Sequence, residues 1–140
     1  MDRWVWYAVV SMLFAGCTSV LAKHGLTGVS GELGLAVRTV FVAGFVFAFA
    51  AVWVPAADVG KLTRSNVVWL AASALTTALS WGFYYKALEL GEVSTVAVID
   101  KGSFVVAVVL AWLLLKEPVS PRLWAATGLI LTGLLVAVRR

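Results

Sequence analysis

The sequence predicts an all-α membrane protein with five transmembrane helices, and three observations support this fold class. Hydrophobic residues make up 62% of the 140 residues and charged residues only 13%, about half of the roughly 25% typical of soluble domains. The apolar residues form five stretches, each close to the roughly 20 residues that a helix needs to cross a bilayer. These stretches are continuous rather than alternating, which favours helices over barrel strands because a helix satisfies its own backbone in lipid.

The five predicted spans are joined by short connections. They cover about residues 4–22, 33–54, 67–85, 93–115 and 123–138. Pro55 closes the second span because proline cannot continue the helical hydrogen-bond ladder. The fifth span is short, about 24 Å at 1.5 Å per residue, so we expect Arg139 and Arg140 to extend toward the membrane surface. No stretch remains for a soluble domain, and we expect one transmembrane domain over residues 1–140.

The first span has a second interpretation. Arg3, the apolar run after it and the stretch Phe14-Ala15-Gly16-Cys17 resemble a bacterial lipoprotein signal that ends in a lipidated cysteine. The run continues to Ala22 and four more spans follow, which favours a transmembrane helix with Cys17 packed against a neighbour. One cysteine and one histidine exclude an internal disulfide and a Cys or His metal cluster. We expect no cofactor, and no catalytic constellation indicates an enzyme.

The net charge of +4 comes from scattered basic residues, which are typical of membrane-edge anchors rather than of nucleic-acid binding. On the side of the N-terminus, side A, these are Arg3, Lys61, Arg64, Lys116 and Arg122; on the other, side B, they are Lys23, Lys86, Arg139 and Arg140. Five basic residues on side A and four on side B barely bias the direction of insertion, and counting Arg38 with side B makes the two numbers equal. We therefore expect dual topology, which would allow two copies to pair antiparallel as an inverted repeat; a homodimer paired in another way is the alternative.

Three charged residues interrupt the spans, and two of them lie at similar depth. Arg38 is about 8 Å below Leu33 and Asp100 about 10 Å below Val93, on spans that both descend from side B. An unpaired charge in the membrane costs roughly 3 kcal/mol or more, so such residues usually pair inside the bundle. We predict an Arg38–Asp100 ion pair inside a vestibule on side B.

Lys101, the third intramembrane charge, follows Asp100 directly. Neighbours on a helix point about 100° apart, so we expect Lys101 to extend toward side B or to reach Glu89 or Glu92. Two interpretations of the three charges stay open: they hold helices together, or they handle substrate or protons.

Aromatic residues near the end of the third span indicate a cavity in the same half of the membrane. Tyr85 fits an interfacial belt, which is the usual role of tyrosine at this depth. Trp81 lies deeper, and we assign Trp81 and Tyr84 to the wall of a binding site.

Several features of the chain carry a family resemblance. They are Arg38, Tyr84-Tyr85-Lys86-Ala87-Leu88, Leu115-Lys116-Glu117-Pro118, Gly128 and Gly133. On these residues the chain resembles the EamA family of the drug/metabolite transporter superfamily over nearly its full length. Most members resemble two such five-helix units fused in inverted orientation, so this chain is similar to a half-size member acting as a homodimer. Many members have a proline partway along span four, where this sequence reads Ile99-Asp100-Lys101-Gly102.

The resemblance implies a secondary transporter in a prokaryotic inner membrane. Its expected substrates are small metabolites, amino-acid-like compounds or drugs, moved by alternating access with proton coupling. The expected partners are membrane lipid, a small-molecule substrate and a second copy, without nucleic acid. The candidate substrate and coupling residues are Asp100, Arg38, Lys101, Trp81 and Tyr84. The alternative is a non-transporting membrane subunit of a heteromeric transporter or of a lipid-carrier flippase.

Overall fold

The structure, a computed structural model, describes residues 3–138, and within that range it has helices and connections but no strand. The helices are α1 (Arg3–Gly25), α2 (Gly31–Trp53), α3 (Ala56–Val59), α4 (Arg64–Leu90), α5 (Val93–Asp100), α6 (Ser103–Leu110), a π-helical segment (Ala111–Leu115) and α7 (Pro121–Val138). Five stretches are long and apolar enough to cross a membrane: α1, α2, α4, the stretch Val93–Leu115 and α7. The predicted all-α fold with five spans is confirmed.

The helix ends extend beyond the apolar runs that marked them in the sequence. α4 has 27 residues because strong helix formers, including Lys86 and Glu89, continue it past the hydrophobic stretch to Leu90. α7 begins at Pro121, a favoured first helical residue, and the Ser120 hydroxyl accepts a 3.3 Å hydrogen bond from the Leu123 N–H. Arg139 and Arg140, expected to reach the membrane surface, lie outside the described residues.

Span four is interrupted, although its sequence predicts one continuous helix. Between α5 and α6 the backbone hydrogen bonds tighten to the i to i−3 type. The Lys101 N–H donates to the Val98 carbonyl at 3.1 Å, and the Gly102 N–H donates to the Ile99 carbonyl at 2.9 Å. The interruption therefore falls at Asp100-Lys101-Gly102. The span ends in the π-helical segment, and Lys116 closes it in a left-handed conformation with φ of 54°.

Contacts within the chain define two compact units. The first, the α2–α4 unit, comprises residues Ala22–Leu90; the second, the terminal unit, comprises the residues up to Leu21 together with those from Gly91 onward. In the α2–α4 unit, α2 packs antiparallel against α4, with Gly31 close to Glu89 and Arg38 close to Trp81. This register determines which α2 side chains meet the aromatic residues of α4.

The side-B ends of α2 and α4 are joined by a polar cluster. A Glu89 carboxylate oxygen accepts a 2.8 Å hydrogen bond from the Gly31 N–H, one of the amides that the first turn of a helix leaves unpaired. The Lys86 ammonium lies 3.1 Å from Glu89 and 3.2 Å from Glu32, bridging the two helices. The Lys23 ammonium donates to the carbonyl of the fully buried Leu88. Together these contacts fix the position of α2 along α4.

In the terminal unit, α5 and α6 pack against α7. A methyl group added at Gly102 would lie 3.2 Å from a Leu134 methyl carbon and 3.1 Å from the Ile99 carbonyl oxygen, so the interruption in span four lies directly against α7. The rings of Trp112 and Trp124 meet edge to face with centroids 5.8 Å apart. These contacts hold the broken span to α7 at two levels.

Most large hydrophobic side chains of the described residues face outward. Phe47 is 73% exposed, Trp69 74% and Leu129 74%. Exposure of this extent over all five spans is unsuited to water and suits a bilayer, because lipid covers apolar surface at no hydrophobic cost. The protein is an integral membrane protein.

Candidate substrate site

The most distinctive polar feature of the α2–α4 unit is Arg38 on an aromatic platform. Arg38 is half-buried and lies seven residues into α2, about 10 Å from the start of the helix. Its guanidinium carbon lies 4.4 Å from the centroid of the Trp81 ring and 5.8 Å from that of Tyr85. Both distances are within the range of cation–π attraction. The two rings thus stabilise a charge at a depth where water is scarce.

Tyr85 belongs to this platform, and sequence reasoning missed it. The interpretation of Tyr85 as an interfacial belt residue is wrong, because its side chain is only 4% exposed and lies under Arg38. Tyr84, chosen instead, is half-buried and meets the edge of the Tyr85 ring, with centroids 6.3 Å apart. The spacing alone does not separate the two tyrosines, because residues three and four positions along a helix both neighbour Trp81 on its face.

A cavity of about 420 Å³, open on one side, lies along the same face of α4. Its lining residues are Leu35, Thr39, Leu70, Ser73, Ala74, Thr77, Ala78 and Trp81. The α4 members recur at helical spacing, and none of the lining residues carries a charge. Trp81 is common to the cavity and to the Arg38 platform, so the guanidinium lies at the side-B end of an uncharged cavity.

Two of the three hydroxyls in the cavity wall, those of Thr39 and Thr77, are already used as donors. Thr39 donates to the Leu35 carbonyl at 2.8 Å, and Thr77 donates to the Ser73 carbonyl at 2.9 Å. A threonine hydroxyl that donates to its own helix keeps lone pairs that can accept. The wall therefore offers weak acceptors, and the positive charge beside it comes from Arg38.

Arg38 has no carboxylate partner within its own unit. The three carboxylates of residues 22–90 are Glu32, Asp58 and Glu89, and each of them pairs with a lysine. Arginine stays protonated under any physiological condition. The α2–α4 unit thus carries a permanent cation in a membrane helix without supplying a counter-charge for it.

Asp100 and Lys101 lie together at the interruption of span four. Asp100 is the last residue of α5, and the Lys101 ammonium lies 3.5 Å from its carboxylate oxygen Oδ2. Lys101 also approaches the Phe104 ring, 5.6 Å from its centroid. Within residues 91–138 its ion pair is with Asp100 and not with Glu92, while Glu89 binds Lys86 and the Gly31 amide. The Arg38–Asp100 ion pair stays a prediction.

In residues 3–138 no group of three or more His, Cys, Asp or Glu side chains is placed to hold a metal ion. The chemistry that these residues offer is charge recognition at membrane depth.

Comparison with known proteins places the chain in a family. The EamA-like transporter family matches residues 2–139. A curated protein from Sinorhizobium sp., described as an uncharacterized transporter in the cobO 3′ region, is 32% identical over 138 residues, which cover 98% of each chain. No solved structure matches the chain. The chain belongs to the EamA-like transporter family, and its role is that of a membrane transporter.

Proposed function

We propose that the protein is a secondary transporter that moves small metabolites, amino-acid-like compounds or drugs across the inner membrane by alternating access. The observation that carries this proposal is Arg38 stacked on Trp81 at the end of an uncharged cavity. Ionisable residues inside membrane spans are costly, and they usually mark substrate or ion pathways. A cavity of about 420 Å³ falls within the roughly 300–1,000 Å³ usual for small-molecule sites.

The working form in this proposal is an antiparallel homodimer whose two protomers rock around a central cavity lined by spans one to four. Two observations support it: the near balance of basic residues between the two sides, and the extent of apolar surface that a single protomer exposes. Transporters built from inverted repeats place their sites near the middle of the membrane in this way.

Proton coupling in this scheme is the task of Asp100. When charged, Asp100 pairs with Arg38; when it gains a proton, it either releases Arg38 or admits substrate. The location of Asp100 inside a membrane span supports this role, because intramembrane carboxylates commonly belong to proton pathways. Lys101, 3.5 Å from Asp100, competes with Arg38 for the same carboxylate.

Transport by the purified protein in liposomes tests the proposal. Amino acids, metabolites and cationic drugs are screened for electrogenic uptake with and without a pH gradient. We expect Asp100→Asn to abolish the pH-driven component, and we expect the matched variant Glu92→Gln, at an exposed position in the same unit, to retain it. Intact pH-dependent transport in Asp100→Asn would refute the coupling scheme. If the folded protein transports none of the tested compounds, the result would favour a membrane subunit that needs a different partner.

A further inference from the structure

We infer that Arg38, held by Trp81 and Tyr85, binds the carboxylate of a small organic acid whose apolar body occupies the cavity of the α2–α4 unit. This inference rests on the proposed transport function and names its substrate class. It assigns a role to a residue that the geometry leaves with a permanent charge and without an anion in its own unit.

The platform leaves the guanidinium available for a ligand. Stacking on the Trp81 face uses the π surface of the cation, whereas the five N–H donors of an arginine lie in the guanidinium plane and point outward from its edge. A planar carboxylate accepts two of those donors in parallel, which is the strongest form of this contact. A ring face supplies no oxygen acceptor, so the contact with Trp81 gives the N–H donors of Arg38 no charged partner.

The cavity determines what is attached to that carboxylate. Its wall is formed by aliphatic and aromatic side chains with three hydroxyl-bearing residues, Thr39, Ser73 and Thr77, and it carries no charge of either sign. A second charge on the ligand would be desolvated there without a partner, which is costly. The expected ligand thus has one carboxylate and an apolar, preferably aromatic body that packs beside Trp81.

A lipid phosphate is the competing source of negative charge. Arg38 lies about 10 Å along α2 from the helix start, deeper than the polar cluster of Glu32, Lys86 and Glu89 that marks the side-B end of the unit. A headgroup phosphate at the level of that cluster would meet Lys86 before it reached Arg38. The depth of the guanidinium therefore favours a molecule small enough to enter the cavity.

Three ligands with the same indole body and different charge test the inference: indole-3-acetate, indole-3-acetamide and tryptamine. Their binding to the purified full-length protein is measured by titration calorimetry in nanodiscs of neutral lipid and of anionic lipid. We expect the acetate to bind about 10- to 100-fold more tightly than the amide, the range for a hydrogen-bonded charge pair, and tryptamine to bind more weakly still.

Two variants of Arg38 and one control complete the design. Arg38→Gln should remove the preference for the acetate over the amide, while Arg38→Lys should keep part of it because the charge remains. Arg64→Gln removes a cation from the opposite end of α4 and should leave the preference unchanged. Circular dichroism and size-exclusion profiles establish that the variants fold. If Arg38→Gln does not fold, the test is the preference of Arg38→Lys for the acetate over the amide, which should be smaller than that of the native protein.

Equal affinities for the three ligands, or an acetate preference that survives Arg38→Gln, would overturn the inference. So would loss of acetate binding in anionic nanodiscs alone, because that pattern identifies lipid phosphate as the occupant. Each of these results leaves the transport proposal standing, since proton-driven uptake of an uncharged or cationic compound would still be detected in liposomes.

Discussion

Arg38 is stabilised by aromatic faces where most buried arginines rely on carboxylates. A cation over a ring contributes about 0.5–1 kcal/mol at an exposed site and about 2 kcal/mol when it is desolvated. Arg38 is half-buried, and Trp81 provides the closer of its two rings at 4.4 Å. Trp81 should therefore contribute to stability as well as to the shape of the cavity.

Replacing Trp81 with leucine should lower the free energy of unfolding by about 1 to 2 kcal/mol, because the nearest ring facing the Arg38 charge is lost. The measurement is an SDS titration of the purified protein followed by circular dichroism. Trp69→Leu is the matched control: Trp69 lies on the same helix, is 74% exposed and should tolerate the change. Equal losses in both variants would show that the stack contributes nothing.

At the residue scale the sequence is sufficient to select Arg38 and Trp81, because a charge inside an apolar run and a deep tryptophan both stand out from their surroundings. It is not sufficient to select Tyr85 over Tyr84. That choice depends on which face of α4 meets α2, and α4 is apolar on all sides, so its hydrophobic pattern does not identify a buried face.

At the scale of elements, the pairing of α2 with α4 depends on a close approach at Gly31. A methyl group added there would lie 2.8 Å from the Tyr85 carbonyl oxygen and 3.0 Å from the Glu89 carboxylate. Backbone atoms cannot move aside as the end of a side chain can. Relief requires α2 to move away from α4, which would also disturb the hydrogen bond from the Gly31 N–H to Glu89.

Gly31→Ala should therefore destabilise the protein by about 1 to 3 kcal/mol, the usual cost of overpacking. Gly44→Ala, in the same helix, meets no atom within 4 Å and should be neutral or stabilising by up to about 1 kcal/mol. SDS titration of the two variants in parallel measures the difference. A Gly31→Ala protein as stable as Gly44→Ala would mean that the helices separate at this point without cost.

The five spans could be predicted from the sequence, but the interruption of the fourth could not. Val93–Leu115 reads as one apolar run, and its charged pair, Asp100 and Lys101, can be accommodated on a regular helix. The tightened turn lies at Gly102, where an added side chain would crowd the Leu134 side chain of α7. Tertiary contact of this kind is invisible in a hydropathy pattern.

At the scale of the whole molecule, orientation in the membrane is decided by basic residues and not by the fold. The excess of Lys and Arg in short loops selects the cytoplasmic side. Here side A carries five basic residues and side B four, so neither orientation has a clear advantage. An antiparallel homodimer requires both orientations in one membrane, and the topology can be measured in cells without knowledge of the substrate.

Reporters fused to the C-terminus should detect the native chain on both sides of the membrane, using alkaline phosphatase outside and a fluorescent protein inside. Substituting Arg139 and Arg140 by alanine leaves Lys23 and Lys86 on side B, so side A should become cytoplasmic and only the phosphatase should be active. Substituting Lys61 and Arg64 by alanine leaves three basic residues on side A and should give the opposite result. If antiparallel pairing is needed for function, each variant alone should lose transport, and co-expression of the two should restore it. A native C-terminus found on one side only would refute dual topology and with it the antiparallel dimer.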